Sequence, residues 1–232
     1  MGTMSTLISV GHRGDPYRFR ENTLASVRSA FARGADAVEI DVRLTRDGVP
    51  VLLHDETLQR LWGHDVRLDA MTAAQLRELT GGGVPTLREA LAAAGAGRVM
   101  LDLPGASVES VRTVVDLVRA CGARERTYYC AGPNTMLAVR AADPGAEIAL
   151  TWTTLSPPRR VLLDAVAPRW LNYRFGLVSR ELTDALHRDG LLVSAWTPDT
   201  KPAMRAAVRA GVDAVTTNRV DALAAVRAEL GR

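Results

Sequence analysis

Short runs rich in β-branched and aromatic residues alternate with amphipathic runs of helical length along this chain, and nothing else in the sequence restricts its fold so tightly. Parallel strands need crossovers of a dozen or more residues, so this alternation predicts a parallel sheet covered by helices. The extended runs are residues 7–11, 37–42, 98–103, 127–131, 147–151, 169–173, 191–197 and 214–217. Asn22 or Thr23 can cap a helix running to residue 33, which Gly34 ends. Further helices are expected over 107–120, 134–142, 157–165, 179–188, 201–210 and 220–230. Thr72 can cap a short helix to residue 79, and Thr86 opens another turn or two. An additional extended run, 49–54, follows the Asp47-Gly48 turn and stands outside the series. Eight strands, each with a helix behind it, favour a closed α/β barrel of the (β/α)8, or TIM, type over an open sheet.

At 232 residues the chain can bury roughly 70% of its unfolded surface in one core. No shift in composition marks a linker, so residues 1–232 are expected to form a single domain. The formal charge is only +3, the basic groups are scattered, and Lys201 is the sole lysine. That distribution excludes a nucleic-acid surface, which needs a clustered basic stripe, but suits a small phosphate-bearing substrate. Cys121 and Cys130 are expected as reduced thiols, because a core of this size needs no disulfide. Residues 1–9 lack the pattern of a secretion signal, and no apolar run reaches the roughly 20 residues of a membrane helix. Gly2 and Thr6 meet only the minimal myristoylation pattern, too short a match to carry weight. A cytoplasmic protein with no integral membrane segment is expected, its oligomeric state left open.

Charged residues concentrate at predicted strand ends. Glu39 and Asp41 lie two apart on an extended run, so both side chains leave one face while Val38, Ile40 and Val42 form the other. Two carboxylates pointing into a barrel repel one another unless something positive holds them, and Mg²⁺ or Ca²⁺ prefers such oxygen donors. The alternative is a wet rim with partial arginine pairing. Asp102 ends the next barrel strand at a matching height, where it can complete an open triad of oxygens or cap the following helix. His12 and His54 also emerge at strand ends, the rim on which barrel enzymes place their chemistry. Paired histidines suit phosphoryl chemistry, one taking a proton and the other giving one. Arg13 beside His12 offers a forked set of donors to phosphate oxygens. His64 and His187 lack such placement and are expected to be structural. Residues 34–41 also echo 211–218, with Thr216 and Asn218 where the first copy carries Glu39 and Asp41.

Several segments together carry a resemblance: Gly11-His12-Arg13-Gly14, Glu21-Asn22-Thr23, the run 34–42, Thr45-Arg46-Asp47-Gly48, Pro50-Val51, His54-Asp55, Leu58 and Arg60. Trp196-Thr197 and the run 211–218 continue it near the other end. In order and spacing these segments resemble the glycerophosphodiester phosphodiesterases over nearly the whole chain. The resemblance implies a TIM barrel with a short insertion after the second strand, here the compact span 55–85. It implies one divalent cation, Mg²⁺ or Ca²⁺, on Glu39, Asp41 and Asp102, with His12 and His54 as the acid/base pair. Arg13 then contacts phosphate, Glu21 supports that site, and Trp196 either walls the pocket or is buried in the barrel. The implied reaction releases glycerol 3-phosphate and an alcohol from a small glycerophosphodiester, through attack of the substrate's own 2-hydroxyl.

The chain departs from that family at several points. Asp102-Leu103-Pro104 stands where the family commonly has Glu-x-Lys, which removes a phosphate-binding cation and leaves Lys201 or Arg13 to serve. Arg20 replaces a usual proline and Asn218 a usual aspartate, both expected to be structural changes. Asp at the third metal position also resembles the related phospholipase D-like branch. A lyase acting on a lysolipid or another phosphodiester is therefore the alternative, with a noncatalytic phosphate-binding barrel behind it.

Overall fold

The computed structural model describes residues 7–231. Its strands are β1 (Ile8–His12), β2 (Ala37–Leu44), β3 (Pro50–Leu52), β4 (Arg98–Asp102), β5 (Thr127–Ala131), β6 (Glu147–Trp152), β7 (Trp170–Arg174), β8 (Leu192–Trp196) and β9 (Ala214–Thr217). All except β3 pair in parallel with their neighbours, and β1 pairs with both β2 and β9, so the sheet closes into a barrel. This is the expected TIM barrel. β3 lies outside the wall, antiparallel to the far end of β2, with Arg43 opposite Val51.

Around the wall run α1 (Leu24–Ala32), α2 (Gln59–Trp62), α3 (Ala73–Leu79), α4 (Leu87–Ala93), α5 (Val108–Ala120), α6 (Pro133–Ala142), α7 (Arg160–Val166), α8 (Arg180–Arg188), α9 (Lys201–Arg209) and α10 (Val220–Leu230). Side-chain caps set several starts: Thr72 and Thr86 each form a reciprocal capping box, and Ser107 and Ser179 accept from backbone N–H groups of their first turns. Thr23, not Asn22, caps α1. The helix expected from residue 157 begins only at Arg160: Pro157 and Pro158 disfavour helical backbone at residues 156 and 157, and Arg159 stays extended at ψ 145° as the N-cap.

Strand alternation separates two apolar layers. Outward residues such as Val38, Ile40, Leu101, Leu171 and Val193 pack beneath the helices. Inward residues Val10, Met100, Tyr128, Ala149 and Trp170 fill the lower barrel. Arg98 pairs with Glu147 at 2.7 Å at the end of the barrel where the strands begin. Higher up lies a polar layer in which Asn172 donates to Cys130 Sγ and Thr151 Oγ1 and accepts from Ser194 at 2.6 Å. The insertion between β2 and α4 carries a third apolar cluster of its own, built from Val51, Leu53, Leu58, Leu68, Leu76 and Val84. Both cysteines are free. No helix among the described residues is long and apolar enough to cross a membrane. Gly2 and Thr6 lie outside the described residues.

Candidate active site

The carboxyl ends of β1, β2 and β4 meet side by side. His12 is in register with Glu39, and Asp41 with Asp102, so the charged side chains share one end of the barrel. One ligand oxygen from each of Glu39, Asp41 and Asp102 lies within 4.8 Å of the others. Burial, followed by repulsion from Asp41 and Asp102, raises the Glu39 carboxyl well above its ordinary range. Burial and then Asp41 push Asp102 up to about 7. Three crowded carboxylates with too little compensating charge are a donor set that fits a hard dication.

The turn after β1 supplies the cation in contact with this cluster. Arg13 takes a left-handed φ of 55°, donates its backbone N–H to Glu39 Oε2 at 2.9 Å, and brings Nε to 3.1 Å from Asp41 Oδ2. Its Nη1 donates to Glu21 Oε1 at 2.8 Å. Gly14 lets this turn close: its φ is 91°, and a Cβ there would run into Ser26 of α1. Asn22, at a φ of 56° and buried, holds Asp41 by donating Nδ2–H to Oδ2 at 2.7 Å and accepting from the Asp41 backbone.

His12 and His54 line the same cavity of about 220 Å³, together with Arg13, Glu39, Asp102 and Trp196. His12 Nδ1 lies 2.8 Å from Asn218 Oδ1, while Nε2 faces the carboxylates, 3.9 Å from Glu39 Oε2. Burial and then the Arg13 charge lower its pKa, which favours the neutral ring. His54 Nδ1 lies 2.6 Å from Asp55 Oδ1. Asp55 is drawn down to about 2, first by its hydrogen bond from Arg60 and then by His54. Arg60 in turn donates to Glu21 at 2.7 Å, so Glu21 joins Arg13 on the barrel to the arm that bears His54.

Trp196 walls the cavity and directs its indole N–H toward the Asn172 carbonyl at 3.4 Å. Lys201, by contrast, is not brought to the cavity. It opens α9 and points along the outer helix layer, its ammonium 3.7 Å from Glu229 of α10. Arg43 supplies a cation near Pro104 instead. It shares a groove with Pro104, donates Nε–H to the His54 carbonyl at 2.8 Å, and its charge favours ionised Asp102. Its position two residues past Asp41 on the same strand face was the signal that sequence reasoning passed over. Asn218 is not a neutral structural change either. Its Nδ2 donates to Asp199 Oδ2 at 2.7 Å, so an aspartate at 218 would set two carboxylates against each other. His187 pairs with Asp213 at 2.8 Å on the outer surface.

The model of the glycerophosphoryl diester phosphodiesterase family matches residues 12–222. The chain belongs to that family. A glycerophosphodiester phosphodiesterase of Caldanaerobacter subterraneus subsp. tengcongensis is 27% identical over 241 residues, covering 95% of this chain and 97% of that one. Human glycerophosphodiester phosphodiesterase 1 is 40% identical over 96 residues, covering 36% of this chain and 29% of that protein. Among solved structures of the fold, the chain is similar to a putative glycerophosphoryl diester phosphodiesterase from Silicibacter pomeroyi. The TM-score is 0.88 at 23% identity, covering 99% of this chain and 96% of that one. An Oleispira antarctica phosphodiesterase in complex with sn-glycerol-3-phosphate matches with a TM-score of 0.87 at 22% identity, over 94% of this chain and 96% of that one.

Proposed function

We propose that this member of the glycerophosphoryl diester phosphodiesterase family hydrolyses small glycerophosphodiesters to glycerol 3-phosphate and an alcohol, with a divalent cation held by Glu39, Asp41 and Asp102. One observation carries the proposal: two histidines, held by different partners, line one cavity with Glu39 and Asp102, and Asp41 completes the carboxylate cluster beside them. The donor set suits Mg²⁺ or Ca²⁺, since three oxygens gather within 4.8 Å and Arg13 alone leaves their charge undercompensated. Such a cation, when bound, polarises a phosphoryl oxygen and acidifies a nearby hydroxyl.

The remaining steps belong to the chain's own groups. His12 takes the proton of the substrate 2-hydroxyl at Nε2, the nitrogen that faces the carboxylates while Nδ1 is engaged with Asn218. The freed oxygen attacks phosphorus within the same molecule, which gains the large advantage of prearranged geometry. His54, its Nδ1 occupied by Asp55, gives a proton from Nε2 to the departing alcohol oxygen. Water then opens the cyclic phosphate with the two histidines in exchanged roles. Arg13, with Nε and Nη1 engaged by Asp41 and Glu21, keeps Nη2 for a phosphate oxygen. The whole chain is taken as one barrel domain, with residues 55–85 as a compact insertion.

Purified protein supplied with glycerophosphocholine should release glycerol 3-phosphate when Mg²⁺ or Ca²⁺ is present, and none in a chelator. No turnover across a panel of glycerophosphodiesters and lysolipids would overturn the proposal. A cyclic phosphate as the final product would make the protein a lyase.

A further inference from the structure

Chemistry fixes the orientation of the Asn218 amide. Asp199 Oδ2 lies 2.7 Å from Asn218 Nδ2, and Asp199 Oδ1 accepts from the Asn218 backbone at 2.9 Å and from the Thr217 hydroxyl at 3.0 Å. An ionised carboxylate only accepts, so the amide NH₂ must face Asp199 and the amide oxygen must face His12. An amide oxygen also only accepts. His12 Nδ1, at 2.8 Å, therefore carries the hydrogen, and the lone pair of the neutral ring sits on Nε2, toward Glu39.

We propose that Asp199 and Asn218 are positioning residues that hold His12 in its Nδ1–H tautomer, and that the device needs an acceptor turned toward Nδ1, which an acid and an amide supply together whichever position holds each. The proposal rests on the role given to His12 above. With the two side chains exchanged, an amide oxygen at position 199 accepts from the same two donors. The amide NH₂ there donates to a carboxylate at position 218, and that carboxylate accepts from His12. Every hydrogen bond survives. The single change Asp199→Asn instead sets two NH₂ groups face to face. Asn218 escapes by turning over, which presents NH₂ to His12 Nδ1 and moves the ring hydrogen to Nε2. The ring then has no lone pair where the substrate proton must be taken. Asn218→Asp keeps an acceptor beside Nδ1 and so keeps the tautomer.

The decisive measurement is ¹⁵N NMR of the ring nitrogens in full-length, ligand-free protein, read beside steady-state kinetics with glycerophosphocholine. Wild type and Asn218→Asp should show His12 protonated at Nδ1, and Asp199→Asn at Nε2. In Asp199→Asn, kcat should fall by about 100-fold or more with KM little changed. The double variant Asp199→Asn/Asn218→Asp should recover both the Nδ1–H signal and a rate near wild type. A role limited to tying the loop after β8 to the end of β9 would lower stability without moving the ring hydrogen. Nδ1–H persisting in Asp199→Asn would overturn the proposal, as would a double variant no better than Asp199→Asn. If Asp199→Asn does not fold, the double variant decides by the same two readouts. If wild type turns over no glycerophosphodiester, the proposed reaction falls, and the NMR comparison alone decides this one.

Discussion

Replacing Asp102 by Asn should stabilise the metal-free protein above neutral pH while weakening its hold on a divalent cation. Burial and the neighbouring Asp41 raise the Asp102 carboxyl from 3.8 to about 7 in the fold. The folded chain then binds this proton more tightly than the unfolded chain. The favourable contribution is complete below the unfolded value and is lost as pH rises through about 7. A span of roughly three pH units at about 1.4 kcal/mol each gives on the order of 4 kcal/mol. Solvent at the cavity mouth screens part of that, leaving about 2–4 kcal/mol. A chain of this size gains about 2–4 °C per kcal/mol, so Asp102→Asn should melt several degrees above wild type at about pH 8 in chelator. Below the unfolded value of 3.8 the two should nearly coincide, and near pH ~5 roughly a third of the difference should already be present. Glu39 acts with the same sign as Asp102, and His12, lowered by burial, with the opposite sign at acid pH. Comparing the two proteins at each pH cancels His12, while the relief of Glu39 on losing the Asp102 charge adds to the difference with the same sign. Adding Ca²⁺ or Mg²⁺ should restore wild type at the higher pH and do little for the variant. A variant that melts below wild type in chelator at that pH would refute the idea of an undercompensated acid cluster.

Alanine at His12 or His54 should each lower kcat by about 10²–10⁴-fold with the melting temperature little changed, and a near-normal rate in either would remove that histidine's role. Asn22→Ala takes the donor from buried Asp41 and should cost about 1–3 kcal/mol in urea unfolding, which an unchanged midpoint would contradict. Tyr173 is fully buried with no partner for its hydroxyl among the described residues, so Tyr173→Phe should be neutral or stabilising by up to about 1 kcal/mol. A clear loss of stability there would show that the hydroxyl has a partner after all.

The sequence carried the barrel because its signals are local: strand alternation, caps at Thr86, Ser107 and Ser179, and glycines after helices. Glu39 and Asp41 were legible for the same reason, since two residues apart on a strand means one face. Asp102 followed from counting strands, and its register with Asp41 agrees. What escaped depends on distant parts of the chain meeting. Asp199 and His12 reach each other only through Asn218, and nothing in their spacing announces it. Arg60 meets Glu21 across 39 residues, and Asn22 reads as a candidate cap because a small polar residue before a helix usually is one. Lys201 misled for the opposite reason: a strand-to-helix loop placed it near the rim, but the pairing with Glu229 on the outer layer decides where its long side chain goes.

β3 and His54 stand outside the barrel wall, on a segment with a hydrophobic cluster of its own. The two histidines therefore belong to different pieces of architecture, clamped together by the Arg13–Glu21–Arg60 bridge. A change of length or sequence in the outer piece can move one histidine against the other and leave the closed ring of strands untouched. In the proposed reaction, editing this module of a few dozen residues would reshape the leaving-group side without rebuilding the scaffold beneath it.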